Sequence, residues 1–393
     1  MSDYVDIKPI TPPIFLDKVT EDHDYLIEKV SPIIGMATSF IRKATGKKKL
    51  VNEKDILFLL ELDAFTETFV PRSKVLQFLR KQSKKEDKHE SFSFKPNTLY
   101  QGDALDLIQK LDDHSIKCVV TSTPYWAMRI YDGNKEREWA DGEICPFGLE
   151  QTPEGFIRHA VEVLYYLLPK LDDEGSIWWN VMDSYNTRTQ IRESASEALS
   201  AMKGLDSRSW KDYKYKRYSS GHFYLKDGEQ CQIPQRIAMR ASQLGYYLKS
   251  TISWCKTASM PEPQLSRVSR NVEYILHLSK QRTPIFNKSI YLKLPPDLGG
   301  RQNDESEKLS DFWYLPTSAG RDGHGAQFPP QIPGRCIALS TNEDDLVLDP
   351  FIGSGTTAIA ALKLGRQFIG FDISPKYIDL ANQKIDGYLK KQQ

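Results

Sequence analysis

Leu346-Val347-Leu348-Asp349-Pro350-Phe351-Ile352-Gly353-Ser354-Gly355-Thr356-Thr357 joins an apolar run to an acid and then to a turn of small residues. The leucine and β-branched run predicts a buried strand, the glycines permit a tight reversal, and Thr356 through Ala361 predicts a helix start. A ligand seated on such a turn meets backbone N–H groups that have no partner inside the helix. The next apolar run, Phe368-Ile369-Gly370-Phe371, stops at Asp372. A carboxylate at a strand end can take both hydroxyls of a ribose. Strand, glycine turn, helix and strand-end acid, in that order, point to a nucleoside-bearing cofactor.

Gly353, Gly355 and Ala358 also fit the loose dinucleotide pattern G-x-G-x-x-A, and such a triplet can mark a purely structural turn. Too little chain follows Asp372 to build the other strands of a dinucleotide domain, so the rest of the sheet must come from earlier sequence. Ile116-Lys117-Cys118-Val119-Val120 supplies one strand and empties into Thr121-Ser122-Thr123-Pro124-Tyr125-Trp126.

At these residues the chain resembles the DNA amino-methyltransferases. Their marks are a strand-end tetrapeptide of Asp, Asn or Ser, two prolines and an aromatic, and an F-x-G-x-G turn. The matching residues are Ser122-Thr123-Pro124-Tyr125 and Phe351-Ile352-Gly353-Ser354-Gly355. Their order, catalytic tetrapeptide first and cofactor turn last, is similar to the permuted β group. Asn97 to Asp103 resembles the family's N-x-x-x-x-G-D segment, and Trp254-Cys255-Lys256, Met260-Pro261-Glu262 and Arg267 resemble its W-x-K, M-P-E and R block. Val272 to Lys280 resembles a family strand, and His324-Gly325-Ala326-Gln327-Phe328-Pro329 the H-x-A-x-F-P stretch. The match covers residues 95 to 390.

The resemblance implies a doubly wound α/β sheet of the Rossmann-like, S-adenosylmethionine-dependent type, with the cofactor at the carboxyl ends of the strands and a final antiparallel strand. It puts Asp372 on the ribose, Asp103 at the adenine end, and Asp349 toward the methionine amino group. Phe351 packs on the cofactor, Gly353, Ser354, Gly355 and Thr356 form its turn, and Ala326 and Phe328 hold the methionine part. The implied reaction moves a methyl group to an exocyclic amino nitrogen of a base flipped out of duplex DNA. Within the tetrapeptide, the Ser122 hydroxyl and Thr123 carbonyl each accept an N–H, Pro124 completes the loop, and Tyr125 stacks on the base.

Serine at position 122, where adenine-N6 enzymes mostly carry Asp, favours cytosine N4; adenine N6 is the alternative. Thr123 stands where the family usually has proline, which opens a further alternative, a catalytically impaired nucleic-acid-binding protein of the same fold. Methylation of RNA or of protein glutamine is a third, disfavoured by the long Trp254 to Lys280 match. Family context adds a cognate restriction endonuclease acting on the same site, and the chemistry requires no metal.

Composition agrees with a soluble globular protein. Hydrophobic residues make up 40% of the 393, charged residues 27%, and the net charge is +1. No apolar run approaches membrane-helix length, and Met1 to Asp6 lacks the basic-then-apolar pattern of a secretory signal, so the expected location is the cytoplasm. The 5 scattered cysteines suggest neither a disulfide framework nor a zinc site, and none follows a proline, which argues against a Pro-Cys nucleophile.

Six stretches organise the chain. Residues 1–94 read as mostly helical, with core faces in Asp55–Leu62 and Ser73–Leu79 and a charged, solvated run at 80–90. Residues 95–183 begin the catalytic domain, 184–229 form a basic aromatic insertion, and 230–281 resume the catalytic domain. The irregular stretch 282–316 is a candidate for target recognition, and 317–393 carry the cofactor turn. Between Ser184 and Lys226 nine basic residues face four acidic ones, with aromatics interleaved, which nominates Arg208, Lys214, Lys216 and Arg217 as DNA contacts. Ala127 to Glu150, rich in charge and glycine, reads as a mobile flap over the substrate pocket.

Overall fold

The fold is taken from a computed structural model, which describes residues 24–62, 92–131, 133–193, 195–219, 225–257, 264–302, 305, 308–318 and 327–392. Ser73–Leu79, the 80–90 run, Met260-Pro261-Glu262 and His324-Gly325-Ala326 lie outside the described residues.

The central sheet holds β1 (Thr98–Gln101), β2 (Ile116–Ser122), β3 (Leu171–Val181), β4 (Tyr247–Lys256), β5 (Val272–Ser279), β6 (Phe312–Leu315), β7 (Leu346–Asp349) and β8 (Gln367–Asp372). Their spatial order is β6-β4-β5-β3-β2-β7-β8-β1. All run parallel except β5, which is antiparallel to both β3 and β4. The antiparallel strand is therefore inside the sheet and ahead of the cofactor strands in the chain. This corrects the expected final position, because permutation moves β7 and β8 to the end.

The helices are α1 (Ile27–Ile34), α2 (Thr38–Thr45), α3 (Glu53–Leu62), α4 (Ala104–Gln109), α5 (Pro153–Lys170), α6 (Ala195–Met202), α7 (Ile233–Leu244), α8 (Gln331–Ser340), α9 (Thr356–Lys363) and α10 (Pro375–Lys390). Strand side chains alternate between two helical layers. Val119, Trp179 and Leu276 pack with α4, α5 and α7. Their chain neighbours Val120, Trp178 and Ile275 pack with α8, α9 and α10. Burial on both faces explains why these strands read as continuous apolar runs.

From β2 the chain crosses through α5 to β3, while from β7 it crosses through α9, on the opposite layer, to β8. Because β2 and β7 are neighbours, the two connections diverge and leave a crevice at their carboxyl ends.

In the N-terminal region, α1 to α3 surround a small core that includes Ile27, Val30, Ile41, Ile56 and Leu59. A short antiparallel pairing of Asp24–Leu26 with Leu50–Asn52, unforeseen from sequence, closes it. Arg240 on α7 donates to the Ile34 carbonyl at 2.6 Å, tying this region to the catalytic layer.

Residues 127–150 depart most from expectation. They pack as a strap, with Trp139, Ala140, Asp141, Leu149 and Glu150 all buried. Asp141 and Glu150 face partners on α5: His159 contacts Glu150 at 3.0 Å and Asp141 at 3.2 Å, and Arg158 donates to Asp141 at 2.7 Å. The Trp139 ring stacks on His159 at 4.1 Å. Charge here marks a buried ion cluster, and the flap reading gives way to a pinned strap.

Burial alone would lower the His159 pKa, but Asp141 and Glu150 carry it up to about 9 from 6.5. A raised histidine stabilises fully below its unfolded pKa, and that contribution is lost as pH climbs through the folded value. Burial also raises Glu162, to about 7, which acts in the same direction. The thermal midpoint is therefore expected to fall between pH 6.5 and 9, and His159→Gln should flatten that slope. An unchanged slope in the variant would refute the role of His159.

Candidate active site

The crevice is lined from one side by Ser122, Thr123, Pro124 and Tyr125, and from the other by Asp349, Phe351, Gly353, Ser354 and Thr356. Asp103, Phe328 and Asp372 also line it, so residues far apart in sequence meet here. Tyr131, Arg137, Phe147 and Gln327 join them without having been nominated from sequence.

Asp372 ends β8 and accepts backbone N–H groups from Gly353 at 3.0 Å and Ser374 at 2.8 Å. A carboxylate offers about four acceptor sites in all. Asp349 is a staple between elements: it accepts from Thr121 at 2.7 Å, from Thr357 at 2.6 Å and from the Phe351 N–H at 3.1 Å. Burial raises its pKa to about 6. Thr121 on β2 and Thr357 on α9 are thus locked together through β7, which fixes the two halves of the crevice.

Gly355 caps α9 at φ 85°, and a Cβ there would sit 3.0 Å from the Ala381 side chain on α10. It serves turn geometry and helix packing, and the crevice lining passes from Ser354 to Thr356 without it. Ser354 donates to Gln327. Asp103 caps α4 by accepting from Leu105 at 2.9 Å and also pairs with Arg137. Burial, the largest effect, raises the Asp103 pKa against the pull of Arg137. The strap thus reaches the crevice through Arg137, whose guanidinium also lies 5.1 Å from the Trp139 ring.

At the tetrapeptide, Ser122 Oγ donates to the Tyr125 hydroxyl at 3.1 Å. Tyr125 in turn donates to Glu273 on β5, and the Lys256 ammonium holds that carboxylate at 2.5 Å. Asn180 on β3 donates to Tyr125 and to Glu273, each at 2.8 Å, and reaches Ser122 at 3.3 Å. The Thr123 side chain is buried, and its hydroxyl has no partner among the described residues. It fills space where the resemblance expects a proline ring.

A strand-end carboxylate, N–H groups around a glycine turn and the aromatic rings of Phe147 and Phe351 suit a nucleoside carrying an amino acid. Residues 116–383 match the family model described as DNA methylase, of the N6 and N4 methyltransferases. The chain belongs to this DNA methylase family. Type II methyltransferase M.XycI of Xanthomonas campestris pv. cyanopsidis is 31% identical over 291 residues, 74% of this chain and 88% of that protein. Type II methyltransferase M.Cfr9I of Citrobacter freundii is 28% identical, with coverage of 74% and 88%. The solved PvuII DNA methyltransferase (cytosine-N4-specific) is similar in fold, with a TM-score of 0.50 at 18% identity over 74% of this chain and 89% of that one. The protein is a type II DNA methyltransferase, and S-adenosylmethionine is the cofactor of its family.

The insertion of this methyltransferase folds around a two-residue ribbon pairing Thr189–Gln190 with Lys216–Arg217, and α6. Arg217 is only 3% exposed, which corrects its nomination as a DNA contact. Its guanidinium donates to the Thr187 carbonyl at 2.9 Å and the Tyr185 carbonyl at 3.0 Å, and lies 4.1 Å from the Trp126 ring. Arg208 is exposed but pairs with Asp206 at 3.0 Å, and Lys216 donates to the Trp210 carbonyl at 3.3 Å. Lys203, Lys211 and Lys214 are exposed.

In the 282–316 stretch a few anchors are held while most of the other described residues are exposed. Tyr291, Leu298, Trp313 and Leu315 are buried, and Glu305 pairs with the buried Arg335 of α8 at 3.0 Å.

Proposed function

We propose that this DNA methyltransferase acts on the N4 amino group of cytosine in duplex DNA, as the modification partner of a restriction endonuclease. The observation that carries the choice of base is Ser122, a neutral hydroxyl where adenine-N6 enzymes mostly resemble one another in carrying Asp. Through Tyr125, a carboxylate already stands behind that hydroxyl in Glu273. A second acid at position 122 would crowd like charge onto a buried network.

The target nitrogen is a poor nucleophile because its lone pair is delocalised into the ring. Ser122 Oγ and the Thr123 carbonyl accept its two N–H bonds and draw the nitrogen toward tetrahedral geometry. The base is flipped out at a cost of a few kcal/mol. Tyr125 stacks on it, and such stacking contributes roughly 1–3 kcal/mol. S-adenosylmethionine, when bound, supplies a methyl carbon activated by its sulfonium charge. Asp372 would hold the ribose, Asp103 the adenine end, Phe351 and Phe328 the apolar walls, and Gly353, Ser354 and Thr356 the turn. For Asp349, whose carboxylate already binds three partners, the methionine amino group would add a fourth contact.

Lys203, Lys211 and Lys214 are exposed cations of the insertion and are assigned to DNA phosphates. Changing Lys211 and Lys214 to Ala is expected to weaken DNA binding and reduce its salt slope by about one for each phosphate no longer neutralised. Preserved affinity and slope would make the insertion a bystander. The function itself is tested by sequencing modified bases in plasmid DNA from cells expressing the chain: methylated cytosine at one recurring sequence is expected, and unmodified DNA would refute it.

A further inference from the structure

Glu273 is buried, only 4% exposed, and its two oxygens have different partners. Oε1 faces Lys256 at 2.5 Å, while Oε2 accepts from Asn180 at 2.8 Å and from the Tyr125 hydroxyl. The Tyr125 oxygen in turn accepts from Ser122 Oγ at 3.1 Å. Both hydroxyls donate toward the acid, so Ser122, Tyr125 and Glu273 form one continuous path from the crevice to a buried carboxylate. Asn180, which donates along the same path, fixes the spacing.

We propose that Glu273 is the terminal acceptor of the proton that the target amino group must lose, acting through Tyr125 and Ser122. As the nitrogen–carbon bond forms and the donor's sulfur–carbon bond breaks, one N–H bond of the amino group breaks and its proton passes to Ser122 Oγ. The serine proton passes to the Tyr125 oxygen, and the tyrosine proton to Glu273 Oε2. Serine and tyrosine each end with one hydroxyl proton, as they began. The methylated nitrogen ends neutral and Glu273 ends as the acid, which returns its proton to solvent as product leaves. The donor's positive charge and the carboxylate's negative charge disappear together, so no net charge is created in the buried site.

Burial, together with the neighbouring Glu273 charge, holds the Tyr125 phenol well above its usual pKa. Tyrosine therefore passes a proton only as another arrives. Glu273 touches neither substrate nor cofactor and is a positioning and proton-accepting residue acting through its neighbours. Lys256 pairs with the other oxygen, Oε1, and Asn180, which cannot itself ionise, orients the carboxylate without competing for the proton.

The proposal rests on methyl transfer to an exocyclic amino group and is indifferent to which base carries it. Product at cytosine N4 or at adenine N6 leaves it standing, so failure of the base assignment shows in product identity and failure of the relay in variant rates. The test compares single-turnover methylation of plasmid DNA by wild type, Glu273→Gln, Tyr125→Phe, their double variant and Glu273→Asp, with cofactor affinity of each by calorimetry. Glu273→Gln and Tyr125→Phe should each slow transfer by about 10²-fold or more, at unchanged cofactor affinity. The double variant should be no more than about threefold slower than the slower single one, because both cut one path. Glu273→Asp should recover part of the rate. Tyr125→Phe removes a single hydroxyl and reads the same path if Glu273→Gln fails to fold. A rate within about threefold of wild type in either single variant, or losses that multiply in the double, would overturn the relay.

Discussion

Replacing Ser122 by alanine is expected to slow methyl transfer by about 10²-fold or more while cofactor affinity stays at its wild-type value. Ser122 Oγ bonds within the tetrapeptide network, to Tyr125 and Asn180, and neither bond supports the cofactor turn. In the proposed mechanism its removal takes away one of the two acceptors that localise the nitrogen lone pair. Asn180 keeps Tyr125 and Glu273 as partners, so the network around the missing hydroxyl persists. Single-turnover rates and calorimetry together give the readout. A loss of less than about tenfold, or a parallel loss of cofactor affinity, would remove Ser122 from the chemistry.

The second large effect falls on cofactor binding. Asp372→Ala should weaken S-adenosylmethionine by about 10²-fold, since hydrogen bonds to a charged group contribute about 1.5–3 kcal/mol and the proposed contact takes two ribose hydroxyls. Part of the loss comes from the turn itself, because the Gly353 and Ser374 N–H groups lose their acceptor. Asp372→Asn keeps one carbonyl oxygen and should fall between alanine and wild type. Unchanged affinity in Asp372→Ala would sink the ribose assignment.

The fold was legible where burial is two-sided. The stretches leading to Asp349, Asp372 and Ser122 read as strands because each packs against helices on both faces, and their terminal residues then point to one crevice. The glycine turn was legible too, although Gly355 proved to serve the approach of α10 more than the crevice. Illegible were contacts made across the sheet. Glu273 meets Asn180 across 93 residues of sequence and Tyr125 across 148, and only the β2-β3-β5 adjacency brings them together.

Charge misled in two places for one reason. In the strap, Asp141 and Glu150 looked solvated because their partner, His159, lies on a helix that follows. In the insertion, Arg217 counted toward a basic surface although its partners are carbonyls of the same insertion and the Trp126 ring. A local charge count records which groups are present, not which already have partners. Exposure separates Lys211 and Lys214 from Arg217, and sequence alone does not give it.

The most direct test of the central claim is product identity. Duplex DNA methylated by the purified chain is digested to nucleosides and separated by mass spectrometry. N4-methylcytosine is the expected peak, strongly reduced in the Ser122→Ala reaction stopped at the same time. N6-methyladenine with no N4-methylcytosine would contradict the claim.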